Sequence, residues 1–354
     1  MTFTLAAVGD LVPTRPLGAE LRPAVRGVAG LLSAADVAFG DLEIALTDRG
    51  CPQEKLITFR ARPGLADDVR ALGFDVVALA NNHSMDYGFD AVAGTMGELD
   101  RVGIRHTGAG AGLREAERGC VLRVGDVRVG FLAWSCLLPP GFAAAADRPG
   151  IAPIHVSTSF EIDGAGVLEE PGAPPVVRTR VVAGDLERVT ARIAEFRGDV
   201  DFLAVSVHWG FGFGPALAEY QRPLGHALID AGADLVLGSH VHGLQGVERY
   251  RDKVILYSPG NFIAQQPRAG VSADILRIYD AMSPDGYLAV AEVAPTGSYR
   301  MHLHPTMTGP DGLPGLAGPA DRERIARELI RLSGPLDTSL TFDGEVVGVG
   351  DRTC

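Results

Sequence analysis

Short apolar runs that stop abruptly at polar residues recur along the chain. Residues 5–8 precede Gly9 and Asp10, residues 76–80 precede Asn81, Asn82 and His83, and residues 202–207 precede His208. Residues 235–237 lead into Gly238, Ser239 and His240, and residues 254–257 into Ser258, Pro259, Gly260 and Asn261. Runs of this length bounded by turn residues predict buried strands. A weaker run, 37–39, leads into Gly40, Asp41, Leu42 and Glu43. Between the runs, segments 64–72, 91–102, 185–196 and 218–231 carry apolar residues at helical spacing. Strands alternating with helices predict an α/β layered fold, in which chemistry is placed at the carboxyl ends of the strands. That is where the Asp, Asn and His residues of this chain stand.

Residues 137–180 break the alternation. Pro139 and Pro140, alanines 143–146, Pro171, Pro174 and Pro175 predict an insertion or lid inside a catalytic domain of residues 1–304. Residues 305–354 carry Gly-Pro punctuation, one amphipathic helix over 321–332 and a strand-like 345–349, which predict a small C-terminal accessory segment.

Composition narrows the partners. With 354 residues and 46% hydrophobic content, the chain can bury a large core. A formal net charge of −12 works against docking on a polyanion. Arg322, Arg324, Arg327 and Arg331 interleave with Glu323 and Glu328 as a solvated helix face, so no nucleic-acid partner is expected. No apolar stretch approaches the roughly 20 residues that span a bilayer. The opening Met1-Thr2-Phe3-Thr4 lacks a secretory pattern, so a cytoplasmic protein without a membrane partner is expected. Cys51, Cys120, Cys136 and Cys354 show neither metal-site spacing nor a disulfide framework. The sequence carries no signature of a particular oligomeric state.

The polar ends of the runs carry the chemistry. His240 and His242, one residue apart after a strand, can point two imidazoles into one cavity, and His208 follows another strand. Asp10 and Glu43 supply anionic oxygens that offset a divalent charge. In the loop 81–88, Asn and Asp side chains can cap a turn. An amide, an imidazole and a carboxylate together exceed what a turn requires. Asp86, three residues after His83, can fix that imidazole's tautomer and raise its basicity in a surface-exposed loop.

Taken in order, Gly-Asp at 9–10, Leu-Glu at 42–43, Asn-Asn-His at 81–83 with Asp86, His-Trp-Gly at 208–210, Gly-Ser-His-Val-His at 238–242 and Tyr-Ser-Pro-Gly-Asn-Phe at 257–262 resemble the bacterial capsule-synthesis family of the CapA or poly-γ-glutamate type. The resemblance covers roughly residues 4–262. It implies the calcineurin-like metallophosphoesterase superfamily and its four-layer αββα sandwich. It also implies that Asp10, Glu43, Asn82, His208, His240 and His242 ligate a metal or support its ligands, with His83 as an acid/base. Two-metal phosphoesterases of the superfamily begin with Asp-x-His, and the third position here is Val12. This departure favours one metal over a two-metal clamp.

Capsule-synthesis members are typically anchored outside the membrane. This chain is more similar to a soluble branch, the lasso-peptide epimerases of the MslH type, which invert a Cα in a ribosomal precursor peptide. That resemblance implies a peptide substrate and two His/Asp pairs, His83 with Asp86 and His242 with Asp10, although Asp10 and His242 can equally bind the metal directly. It implies Ca²⁺, whereas imidazole-rich sites favour Mn, Zn or Fe, and both stay open. The alternative reading is a metal-dependent hydrolase of a phosphoester or a γ-glutamyl polymer, and a third is a scaffold that keeps the fold alone. Clustered titratable groups at strand ends weigh against the scaffold.

Overall fold

Two sheets face each other and carry helices on their outer sides. The computed structural model describes residues 2–17, 23–162 and 164–350. Met1, residues 18–22, Asp163 and residues 351–354, the last with Cys354 and the end of the expected accessory segment, lie outside the described residues.

The larger sheet has ten strands. Its centre is parallel: Phe3–Val12, Val37–Leu42, Val76–Ala78 and Arg105–Thr107 lie side by side, with Asn261–Ala264 parallel to the end of Phe3–Val12. Antiparallel strands Asp285–Val293 and Tyr299–Thr308 continue it from Phe3–Val12. The second sheet has six strands, with Phe202–His208 parallel to both Leu235–Ser239 and Val127–Ser135.

Burial on both faces explains why the central strands read as unbroken apolar runs. In Phe3–Val12, Phe3, Leu5 and Ala7 join the layer between the sheets, while Ala6 and Val8 pack beneath outer helices. Phe202–His208 behaves alike, with Phe202 and Ala204 facing inward and Leu203, Val205 and Val207 outward. Phe39 and Phe131 stack across the inter-sheet layer with ring centroids 5.6 Å apart. Helices Pro23–Ala34, Leu65–Ala71 and Phe89–Val102 cover the large sheet through Val28, Leu32, Val69, Val92 and Leu99. Ala183–Arg197 and Gln221–Asp230 cover the small one through Val189, Ile193, Leu224 and Leu228. The expected αββα order of layers is therefore present.

Residues 305–350 extend the same large sheet. Strands Pro314–Leu316, Leu340–Phe342 and Val347–Val349 belong to it, and helix Pro319–Ser333 buries Ile325, Ala326 and Leu329 in the inter-sheet layer. Within 137–180, Phe142, Ala144, Ile151 and Ile154 are core residues. The strands Val156–Glu161 and Val176–Val181 form a separate two-stranded hairpin.

Candidate metal centre

The parallel strands of the two sheets release Asp10, Asp41, the 81–86 loop, His208 and the 240–242 loop toward one point. At Asp10 the pairing register slips on both sides of its strand. Such a bulge re-aims a side chain. A Cβ on the preceding Gly9 would lie 2.1 Å from the Gly260 carbonyl oxygen, so only glycine lets the two segments approach this closely. His240 and His242 have φ of 100° and 49°, a region non-glycine residues seldom adopt. Backbone strain of this kind is held where the surrounding structure over-determines it.

Three overlapping groups of donors lie close enough to share a cation, with donor atoms within 4.8 Å of one another: Asp10, Asp41 and His208; Glu43, His208 and His240; and Asp10, Glu43 and His242. The backbone N–H of His240 donates to both Asp10 carboxylate oxygens at 3.2 Å. His208 has its Nδ1 2.8 Å from Asp41 Oδ2, which orients its Nε2 toward the centre. That Nε2 lies 2.6 Å from Asn82 Oδ1 and 3.6 Å from Glu43 Oε1. All six residues expected at a metal therefore meet.

The donor set fits a divalent ion. Both oxygens of buried Glu43 and the Nδ1 of His240 have no hydrogen-bond partner among the described residues, and an orphaned buried carboxylate costs several kcal/mol. Burial, then Asp41, raises the Asp10 carboxyl well above its usual range. Burial, then Asp10 and Asp41, does the same to Glu43. Burial also pushes His240 far down, reinforced by the neighbouring imidazoles, and pushes His242 down to about 4. A cation reverses the carboxylate shifts by favouring their charged forms, and neutral imidazoles are the ligating form.

His83 and Asp86 pair as the spacing predicts, Nδ1 to Oδ2 at 2.6 Å. They do not lie in an exposed loop: Asp86 is fully buried and His83 is 7% exposed. The 53–59 segment folds over them. Phe59 N–H donates to Asp86 Oδ2 at 2.6 Å, and the Phe59 ring sits 4.6 Å from the imidazole. Lys55 Nζ reaches Asp86 Oδ1 and the Asn82 carbonyl. Burial lowers both the Lys55 and the His83 pKa.

The second expected pair is looser. His242 Nδ1 lies 3.5 Å from Asp10 Oδ2 but 2.8 Å from Asn261 Oδ1.

Sequence reasoning missed Asp41, Asn81, Ser239, Lys55 and Asn261. Asp41 joins Ser239 Oγ at 2.6 Å, Asn81 Nδ2 at 2.7 Å and His208. Asn81 Oδ1 accepts the N–H groups of His83 and Ser84, so Asn81 builds the turn and frees Asn82 to face His208. Asp41 stands two residues before Glu43, the strand spacing that shares a face, and that signal could have found it.

A model of the bacterial capsule synthesis protein PGA_cap family matches residues 4–266. The chain belongs to this family, within the calcineurin-like superfamily. An uncharacterized protein, y4sH, of Sinorhizobium fredii is 27% identical over 97% of this chain and 92% of its own length. A probable polyglutamine synthesis accessory protein of Mycobacterium tuberculosis is 34% identical over 65% of this chain, and the PGA biosynthesis protein CapA of Bacillus subtilis 28% over 68%. The chain spans 56% of each of these last two. Among solved structures, a putative 5'-nucleotidase of Staphylococcus aureus is similar at 13% identity, covering 93% of this chain and 58% of that one, with a TM-score of 0.47. No helix among the described residues is long and apolar enough to cross a membrane.

Proposed function

We propose that this PGA_cap protein is a metal-dependent acid–base enzyme acting on a peptide, and that its reaction is inversion of one Cα. Asp10, Glu43, Asn82, His208 and His240 would hold a divalent ion, which leaves the His242 ring to the acid–base chemistry. The observation that carries the proposal is a pair of imidazoles flanking one carboxylate. His83 Nε2 lies 3.9 Å from Glu43 Oε1, and His242 Nε2 lies 3.9 Å from Glu43 Oε2.

Each imidazole has its Nδ1 engaged, by Asp86 and by Asn261, which leaves both Nε2 atoms free to carry a proton. In a two-base inversion His242, neutral through burial, takes the Cα proton at Nε2, and the His83 imidazolium held by Asp86 returns one to the opposite face. Asp86 stabilises the imidazolium that forms on His83, and the Phe59 ring excludes water from that side. When bound, a divalent ion would supply electrostatic stabilisation of the negative charge on the carbonyl next to that Cα. The likeness to a probable polyglutamine synthesis accessory protein and to a PGA biosynthesis protein supports a peptide-type substrate.

A second reading, hydrolysis, is favoured by the overlap of donor groups at Asp10, which could serve a second cation. Against it, Val12 is wholly buried in the apolar layer beneath the outer helices and sends no ligand to the centre.

Incubating metal-loaded protein in D₂O with candidate precursor peptides, polyglutamate and a phosphoester separates the readings. Inversion places deuterium at one Cα without cleavage. Cleavage without exchange would overturn the proposal in favour of hydrolysis.

A further inference from the structure

Two exposed aromatic side chains follow the His208 strand, one of them against the His242 ring, and neither the fold nor the acid–base chemistry uses them. After His208 and the buried Trp209 the chain runs through Gly210, Phe211, Gly212, Phe213 and Gly214. Phe211 is 65% and Phe213 37% exposed. Gly210 and Gly212 have φ of 86° and 70°, the left-handed region open to glycine. A Cβ at Gly212 or Gly214 would meet nothing within 4 Å.

Both ends of this loop are fastened. Gly210 N–H donates to the Tyr220 hydroxyl at 2.7 Å, Ala218 N–H donates to Gln221 Oε1 at 2.7 Å, and Glu219 accepts from the Thr179 N–H at 2.9 Å. The two phenylalanines sit between these anchors, each flanked by glycines.

Phe213 lies nearly parallel to the His242 ring, with centroids 6.0 Å apart and planes 23° off parallel. Phe213 also lines a cavity of about 440 Å³, together with Pro215, Leu244, Ser283 and the charged side chains Asp285 and Arg324. Its wall abuts the 240–242 loop, where Ser283 N–H donates to the His242 carbonyl at 2.9 Å. The charges of this wall answer one another: Arg324 pairs with Asp285 and Asp321, and Arg331 with Glu328. Phe213, Pro215 and Leu244 are its apolar part, and an exposed aromatic ring beside a polar centre gains from an apolar partner.

We propose that Phe211 and Phe213 form an apolar lip that seats an aliphatic or aromatic side chain of the peptide, next to the residue presented to His242. The proposal rests on the peptide reading above and adds a specificity element to it. The glycines let the rings close on side chains of different shape, and the anchors at Tyr220 and Gln221 keep the loop over the centre.

The test uses the full chain and blocked amino acids as probes. Saturation-transfer NMR is recorded with N-acetyl-phenylalaninamide, N-acetyl-leucinamide and N-acetylglycinamide on the native protein, Phe213→Ala, Phe213→Leu and the Phe211→Ala/Phe213→Ala variant, with melting temperatures as the folding control. Side-chain saturation is expected for the first two probes and not for the glycine probe. Affinity should fall about tenfold in Phe213→Ala and return in Phe213→Leu. In protein shown to carry Mn²⁺, the bound probes should also show enhanced relaxation.

Equal transfer to the glycine probe, unchanged affinity in the double variant, or binding without relaxation by the loaded ion overturns the lip. Probe binding is read without turnover. A lip that binds while no Cα exchange occurs would therefore count against the proposed reaction alone, and exchange with an indifferent Phe213 against the lip alone.

Discussion

Replacing Glu43 with Gln probes the centre through stability rather than activity. Glu43 is fully buried, its two oxygens lack hydrogen-bond partners, and Asp10 and Asp41 face it. Breaking up or leaving unpaired a buried charge costs about 3–5 kcal/mol. An amide of the same shape removes that charge, while the nearby Lys55 loses part of its counter-charge, so the metal-free variant should be about 1–3 kcal/mol more stable than the metal-free native protein. For a chain of this size that is a rise in melting temperature of about 1–4 °C.

Metal should act in the opposite direction. An ion at a hundred times its Kd stabilises the native protein by about 2.7 kcal/mol, or about 4 °C, and the variant, lacking a charged ligand, should gain little. The pH dependence follows from the raised Glu43 carboxyl. Its stabilising contribution is complete below the unfolded value of about 4.3 and is lost as pH rises through the higher folded value. The gap between metal-free variant and native protein should therefore vanish near pH 4 and widen toward pH 8. Differential scanning fluorimetry with EDTA, and with Mn²⁺ or Ca²⁺, over that range is the assay. A variant that melts below the native protein without metal, and still shows the full metal shift, would refute the reasoning.

Asp41→Asn leaves the packing of its strand intact but weakens the hold on His208, so metal affinity by isothermal titration should drop about 10–100-fold, and an unchanged affinity would remove Asp41 from the centre's support. His83→Asn should keep the fold by circular dichroism and abolish proton exchange, whereas Asp86→Ala should also lose about 3–5 kcal/mol in urea unfolding, because Lys55 and the Phe59 N–H lose their buried acceptor. Equal stability of the two variants would contradict the role given to Asp86.

The strands Phe3–Val12, Val76–Ala78, Phe202–His208 and Leu235–Ser239 were legible because each is buried on both faces and writes itself as an apolar run with a polar stop. The stops located the expected ligands for the same reason. Other strands were hidden by their packing. Val127–Ser135 is interrupted by Gly130, where a Cβ would come within 2.7 Å of Val200, so close contact with the neighbouring helix region demands a glycine that weakens the pattern. Tyr299–Thr308 alternates buried Met301 and Leu303 with half-buried His302 and His304, and never forms a continuous run.

At the centre, spacing revealed the local pair His83 and Asp86 but not Lys55, which meets Asp86 from 31 positions away through a coil segment without periodicity. The resemblance also suggested pairing His242 with Asp10, whereas Asn261 approaches more closely. That choice is decided by the close passage of the 258–261 segment past Gly9, a tertiary contact no local pattern encodes.

The central claim is that these strand ends build a metal centre. Its most direct test is the divalent-metal content of the protein purified without chelator, measured by plasma mass spectrometry alongside His240→Ala. Close to one equivalent of a divalent ion is expected in the native protein and a large loss in the variant, whose only change removes from the donor set a half-buried imidazole with an unpartnered Nδ1 among the described residues. Native protein that holds no more than trace metal, and takes up none when Mn²⁺, Zn²⁺ or Ca²⁺ is supplied, would contradict it.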